Sequence, residues 1–156
     1  MTDKVRWKRE TRKMAIACAP LTLLTFAAPA HAQTRATIDG EWVTNDNSAV
    51  IRVGPCSGAS GGVRCGTIIR LLGPQPAGGR RDANNPDRAQ RTRPVLGINV
   101  LWGLRANGAE WTGRGYTPQE GRNFSATVTQ PSPDRLSVRG CVLVICRTVT
   151  WNRVRP

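Results

Sequence analysis

The stretch GEWVTNDNSAVIRV, residues 40–53, contains two short segments of the chain separated by a turn. In the second segment Ala49, Ile51 and Val53 occupy alternate positions, and a period of two is typical of a strand with one face in a core. The letters TNDNS between the segments favour a turn, because Asn, Asp and Ser side chains bond to the backbone beside them. The stretch therefore predicts two neighbouring strands of an antiparallel sheet.

The same alternation recurs about eight times along the chain, separated by turn residues such as PQEG, and no segment has a long helical period. The clearest further segments are residues 63–71, 98–104, 123–129, 135–139 and 148–152. A meander of about eight antiparallel strands hides its edges by closing on itself. We therefore predict an all-β, up-and-down barrel, whose interior is just wide enough for side chains or for one small ligand.

The first 32 residues have the order of a secretory signal peptide. Residues 1–13 carry six basic side chains, residues 14–32 are uncharged and apolar, and Ala30-His31-Ala32 ends the segment with small residues where a signal peptidase cuts. The alternative is a membrane anchor, but the apolar part is short of the about 20 residues that span a bilayer. We predict cleavage after Ala32, a periplasmic or secreted protein with no transmembrane segment, and one barrel domain over residues 33–156.

Composition after that cleavage excludes several chemistries. The single His is His31, and every Lys lies in the first 13 residues. Serine or cysteine nucleophiles activated by histidine, zinc sites built on histidine, and Schiff-base chemistry on lysine therefore lack their side chains. Eight carboxylates and Tyr116 are left, so a carboxylate-dependent hydrolase stays open as an alternative. We expect no metal ion and no cofactor, and we lean against an enzyme.

Four cysteines follow the signal, and an even number in a small exported domain indicates two disulfides. Three pairings are possible. We favour Cys56–Cys65 and Cys141–Cys146, since each pair brackets one loop. A metal or redox site is the alternative, and neither pair has the C-x-x-C spacing typical of one.

Several motifs, in order, resemble an exported bacterial family known as domain of unknown function 2147. They are GEWVTNDNSAVIRVGPC, CGTIIRL, DANNPD leading into RTRPVLGINVLWGL, WTGRGYTPQEGRNFSA, and LSVRGC followed by TVTWNRV. The resemblance spans nearly the whole of residues 33–156. It implies a signal peptide, two cysteine pairs, a lipocalin-like barrel and no established activity. Arg147 stands where that pattern leads us to expect a glycine.

The first and last strands are also similar to those of lipocalins more broadly. Their first strand carries G-x-W, as in Gly40-Glu41-Trp42, and a late arginine packs on that tryptophan. Arg153 in TWNRV has the matching place. The resemblance gives Trp42 and Arg153 a structural role, closing the barrel through a guanidinium over an indole.

The polar stretch DANNPDRAQRTRPVLG, residues 82–97, predicts a long loop, and loops of this length are often functional. One interpretation is a lid over the barrel mouth, with Arg91 or Arg93 binding an anionic head group beside Asp82 and Asn85. The other is scaffolding, in which the arginines pair with loop carboxylates. A short helix in residues 84–92, capped by Asn85 with Pro86 at its first position, is also predicted.

Positive charge favours anionic partners. The full chain has 23 basic and 10 acidic residues, and residues 33–156 keep 17 and 8 of them. Scattered arginines, export and the lack of a recognition helix argue against nucleic acid, whereas an envelope polyanion fits the compartment. The leading hypothesis is a barrel that binds a small anionic or amphiphilic molecule, and the alternative is a structural or interaction protein of the envelope with a filled core.

Overall fold

A computed structural model of the protein describes residues 37–59 and 61–155, so the predicted signal peptide lies outside the described residues. The chain forms eight strands: β1 Gly40–Val43, β2 Ala49–Pro55, β3 Arg64–Leu71, β4 Asn99–Asn107, β5 Glu110–Thr117, β6 Arg122–Ser132, β7 Arg135–Val142 and β8 Ile145–Arg153. Each strand pairs antiparallel with the next, and β8 pairs with β1. The predicted up-and-down barrel of eight strands is confirmed.

Because successive strands run in opposite directions, their connections divide between two ends of the barrel. The mouth carries the connections that follow odd-numbered strands: residues 44–48, 72–98, 118–121 and 143–144. The base carries the others, together with residues 37–39 ahead of β1. The disulfide Cys56–Cys65 joins β2 to β3 at the base, whereas Cys141–Cys146 joins β7 to β8 at the mouth.

Large side chains fill the base. Trp42, Leu104, Val128 and Leu136 are each 0% exposed. The indole Nε1 of Trp42 donates to the carbonyl oxygen of Ile38 at 3.0 Å, so the polar edge of this ring has a partner, as buried indoles require. Side chains of this size on facing strands leave no room between them, which makes the base a packed core.

Arg153 closes the seam between the last strand and the first. Its guanidinium lies 4.2 Å from the ring centre of Trp42, while its Nε donates to the carbonyl of Pro133 at 2.6 Å and its Nη1 to that of Asp39 at 3.3 Å. A Cβ on Gly40 would collide with this guanidinium, and the φ of Gly40 is 142°. The G-x-W sequence therefore supplies both the ring and the gap that the arginine needs.

The strand β4 departs from the regular alternation of Ile98, Val100, Trp102 and Leu104 that its sequence predicts. Leu101 and Leu104 are the most deeply buried residues of this strand, and Trp102 is only partly buried. Gly103 has a φ of 64°, and the pairing with β5 shifts register beside it. The bulge moves the inward positions by one residue, which is why a strict period of two fails here.

The helix predicted in residues 84–92 is shorter and starts later than its sequence indicates. It is one 3₁₀ turn, Arg88–Gln90, capped by Asp87, whose Oδ1 accepts from the amide of Ala89 at 3.0 Å. Asn85 accepts from the amide of Asp87 at 2.9 Å, as a cap would, but Asp87 is extended, with a ψ of 112°. The chain therefore cannot enter a helix at Pro86. Across the described ranges, no helix is long and apolar enough to cross a membrane.

Candidate ligand-binding cavity at the barrel mouth

A cavity of about 740 Å³ opens at the mouth and extends into the upper half of the barrel. This volume lies in the range of pockets that enclose small organic ligands. The inner wall is mostly apolar and comes largely from eight residues on six of the strands: Ala49, Ile68, Val100, Leu101, Phe124, Val138, Val149 and Trp151. Such a wall binds hydrocarbon by removing it from water.

The upper half is hollow because small residues occupy inward positions there. Gly115 on β5 and Gly140 on β7 flank Phe124 on β6 across the sheet. A Cβ on either glycine would meet the Phe124 ring, which lies over both. The two glycines let this ring lie flat against the wall, whereas nearer the base the same faces of β5 and β7 carry Trp111 and Leu136. The sequence thus leaves space at one end of the barrel and fills it at the other.

Two arginines border the cavity where it meets solvent. Arg122 begins β6, and Arg147 lies on the inward face of β8, two residues before Val149. Among residues 37–59 and 61–155, none of the four ion pairs involves either guanidinium. Both side chains are exposed and can turn their donors toward an anion at the opening.

Two carboxylates, Asp46 and Glu120, also stand on this rim. Burial raises the pKa of Asp46, but hydrogen bonds from Thr44 and Ser48 outweigh it and hold the pKa below its usual value. Asp46 Oδ1 accepts from the amide of Ser48 at 3.2 Å and from its hydroxyl at 2.9 Å. Asp46 is therefore ionised and committed to the β1–β2 turn.

The loop residues singled out in the sequence come together in a different place. Asp82 is 0% exposed. Its Oδ1 accepts from the Tyr116 hydroxyl at 2.7 Å, and its Oδ2 accepts from Asn85 Nδ2 at 2.7 Å and Arg93 Nε at 2.9 Å. Arg93 Nη2 lies 2.8 Å from the same oxygen. Arg91 donates through Nε to the backbone carbonyl of Asn85 at 2.8 Å.

This network shifts the pKa of two of its members. Burial alone raises the pKa of Asp82, but the hydrogen bonds from Asn85, Tyr116 and Arg93 and the positive charge of Arg93 hold it below its usual value. Burial and the hydrogen bond to the Asp82 carboxylate raise the pKa of Tyr116 to about 12. Asp82 is therefore a fixed negative charge and Tyr116 a fixed donor, and together they tie the loop to β5.

In the part of the chain that the structure describes, no residue between 72 and 98 lines the 740 Å³ cavity. Asn85 and Arg93 border a separate, more open groove of about 690 Å³ beside Trp102. The loop thus meets the barrel wall through Asp82 and adds no residue to the cavity lining. Tyr116 touches both the cavity and the groove, so it joins the loop network to the cavity wall.

Sequence reasoning missed the arginines that do border the cavity. A signal was present for Arg147, because it shares an inward face with Val149 and Trp151 in a strand of period two. A charged residue in an otherwise apolar register marks the point where the inner face of a strand reaches solvent. Arg122 follows the PQEG turn and has no comparable signal. Within the described ranges, no three His, Cys, Asp or Glu side chains form a metal-binding group.

Comparisons with known proteins agree with this architecture. A family model described as "Uncharacterized protein conserved in bacteria (DUF2147)" matches residues 40–153. No curated protein sequence matches the chain. Among solved structures, protein HP1028 of Helicobacter pylori, described as belonging to the lipocalin family, superposes with a TM-score of 0.62 at 18% identity, covering 76% of this chain and 84% of its own. The chain therefore belongs to the DUF2147 family, and its barrel has the lipocalin fold.

Proposed function

We propose that the protein is an exported barrel that binds one amphiphilic molecule with an anionic head group. The tail lies in the apolar upper half of the barrel, and the head lies at the rim between Arg122 and Arg147. The observation that carries this proposal is a 740 Å³ apolar cavity with two guanidiniums at its opening.

Two physical terms support that orientation. Apolar contact releases about 25 cal/mol for each Å² of hydrocarbon surface removed from water, so the tail gains most inside the barrel. A guanidinium offers a planar fork of donors that matches a carboxylate or phosphate, so the head gains most at the rim. The reverse orientation would bury the charge against apolar side chains such as Val138 and Trp151.

The other functional classes fit less well. A structural protein with a filled core does not need the hollow upper half that Gly115 and Gly140 create. A hydrolase that uses a carboxylic acid needs a raised pKa on the acid, whereas the pKa values of Asp46 and Asp82 are both lowered. An envelope polyanion is a further partner that the arginine surplus supports. Export rests on the signal-like residues 1–32 and on two disulfides, which form in oxidising compartments.

The experiment is a calorimetric titration of delipidated protein with laurate and with dodecanol, which share a hydrocarbon tail. The double change Arg122→Gln with Arg147→Gln should weaken laurate binding about tenfold or more, because charge-assisted hydrogen bonds are lost. Dodecanol binding should stay near the wild-type value. Arg114→Gln is the matched control, since Arg114 is an exposed arginine of β5 outside the cavity wall.

Two results would contradict the proposed binding of an amphiphile. If laurate binds the double variant as tightly as the wild type, the head group does not lie at this rim. If neither ligand binds the wild type, the cavity does not take an aliphatic amphiphile. Native mass spectrometry of protein released from the periplasm provides an independent test, because a bound amphiphile would appear as a discrete added mass.

A further inference from the structure

The β7–β8 hairpin ends in an exposed apolar tip, residues 142–145. Val142, Leu143, Val144 and Ile145 are 39%, 95%, 93% and 71% exposed. Over the described ranges, the large hydrophobic residues exposed to this degree are these four and Leu96. Contiguous exposed apolar side chains commonly mark a surface that binds another protein or a membrane.

The backbone conformation of the tip does not by itself account for its apolar side chains, since this turn favours other residues. Leu143 has a φ of 53°, in the left-handed region that residues with a Cβ rarely adopt. Hairpin turns of this length ordinarily place Gly, Asn or Asp there. Those residues would relieve the strain and remove the exposed leucine together. The Cys141–Cys146 disulfide directly beneath holds the tip in this conformation.

The tip is continuous with the cavity opening. Val142 and Ile145 pair across the hairpin, and all four tip residues border the cavity. The apolar surface therefore runs from the tip along β7, past Gly140, to the inner wall at Val138, and Arg147 lies beside it on β8. A membrane or protein surface that bound the tip would lie next to the opening of the cavity.

Cations lie beside the tip on both strands. Arg139 on β7 precedes the tip by three residues, and Arg147 on β8 follows it by two. Both are exposed, and so is Arg122 on the neighbouring β6. In residues 37–59 and 61–155, none of these three takes part in an ion pair. The rim carboxylates are Asp46, which is committed to its own turn, and Glu120. Apolar residues flanked by unpaired arginines are complementary to an anionic lipid surface.

From this juxtaposition we propose that the barrel docks mouth-first on a bilayer that contains anionic lipid. The apolar tip enters the head-group region, and Arg139 and Arg147 meet lipid phosphates. This goes beyond the proposed ligand binding, because docking requires the tip and its arginines and does not require an occupied cavity.

The test is co-sedimentation of the purified protein with vesicles of phosphatidylcholine alone and of phosphatidylcholine mixed with phosphatidylglycerol. The wild type should bind the mixed vesicles and bind phosphatidylcholine weakly. Leu143→Ser and Val144→Ser should each lower binding to mixed vesicles about tenfold, since each withdraws a large apolar side chain from lipid. Leu96→Ser is the matched control, an exposed apolar residue that belongs neither to the tip nor to the cavity lining, and should bind as the wild type does.

A second variant tests the charge. Arg139→Gln should lower binding to the mixed vesicles about fivefold and leave binding to phosphatidylcholine unchanged, because its cation acts only on anionic lipid. Thermal melts and disulfide mapping of every variant establish that it has folded.

Three outcomes would overturn the proposal. The first is that the wild type does not sediment with mixed vesicles. The second is that the folded tip variants sediment as the wild type does. The third is that the wild type is a dimer which Leu143→Ser converts to a monomer, because the tip would then pack against a second copy. Laurate titration of the wild type without vesicles keeps this result separate from the proposed function, since either one can fail alone.

Discussion

Asp82 is the residue on which the long mouth connection depends. A buried carboxylate is costly unless its oxygens are paired and hydrogen bonded. Asp82 has three donors, and the cation of Arg93 is among them. Its partner Tyr116 belongs to β5, whereas Asn85 and Arg93 belong to the connection itself. The network thus fixes residues 82–93 to the barrel wall at a buried point, and Asn84 adds an exposed hydrogen bond to the carbonyl of Gln119 at 2.6 Å.

We predict that Arg93→Ala lowers the free energy of unfolding by about 1–3 kcal/mol, because the Asp82 carboxylate loses a charged partner and stays buried. Arg88→Ala is the control, an exposed arginine of the same loop, and should change stability by less than about 0.5 kcal/mol. Chemical denaturation measures both values, and laurate binding should be equal in both variants. A folded Arg93→Ala protein of wild-type stability with weakened laurate binding would return this arginine to the ligand site.

The pH dependence of stability follows from the same residues. The pKa of Asp82 is lowered by folding, so its contribution is present above about pH 4, the unfolded value, and is lost as the pH falls through the lower folded value. The pKa of Tyr116 is raised to about 12. Its contribution is therefore present below about pH 10 and is lost as the pH rises from there to about 12.

Tyr116 is the only tyrosine of the chain, so the ultraviolet absorbance of tyrosinate reports this one group. The folded protein should ionise near pH 12, and the urea-unfolded protein near pH 10. Tyr116→Phe should remove the alkaline loss of stability that begins near pH 10. Ionisation of the folded protein near pH 10 would mean that the hydrogen bond to Asp82 does not form.

At the scale of elements, hairpins that alternate regularly were predictable, and the interrupted ones were not. In β7 and β8 every inward residue follows the period of two. In β3 the same period left open which face is inner, and the structure buries Gly66 and Ile68. The bulge at Gly103 depends on φ, which the residue letters of β4 do not determine.

The two disulfides should contribute similarly to stability, because both close short loops, but differently to vesicle binding. Replacing either pair with serine should cost about 2–3 kcal/mol of stability by loop-closure entropy, with little difference between them. Only the Cys141→Ser, Cys146→Ser protein should also bind mixed vesicles less well, since that disulfide holds the apolar tip. Denaturation and co-sedimentation of both double variants check this. Equal losses of vesicle binding in the two proteins would contradict it.

For the molecule as a whole, the sequence predicted the closed barrel and the place of the tryptophan and arginine that seal it. The barrel follows from the period of two, and the roles of Trp42 and Arg153 follow from the resemblance to lipocalins. The cavity did not follow, because empty space results from several small residues facing one another. Gly115 and Gly140 lie 25 positions apart in the chain, and only the closed sheet brings both to Phe124. The same holds for Arg122 and Arg147, which the barrel places on one rim.

The packed base has a consequence for what such a barrel can hold. A cavity that is closed at the base and open at the mouth admits a ligand end-on, and the ligand leaves by the same path. The distance from the opening to Trp42 and Leu136 then limits the length of hydrocarbon that the cavity can enclose. A short ligand is enclosed completely, whereas a longer one leaves part of its hydrocarbon in solvent. Within a homologous series, affinity should rise with each added methylene until the far end touches the floor, and then level off. The plateau length would measure the hollow half of the barrel in carbon atoms.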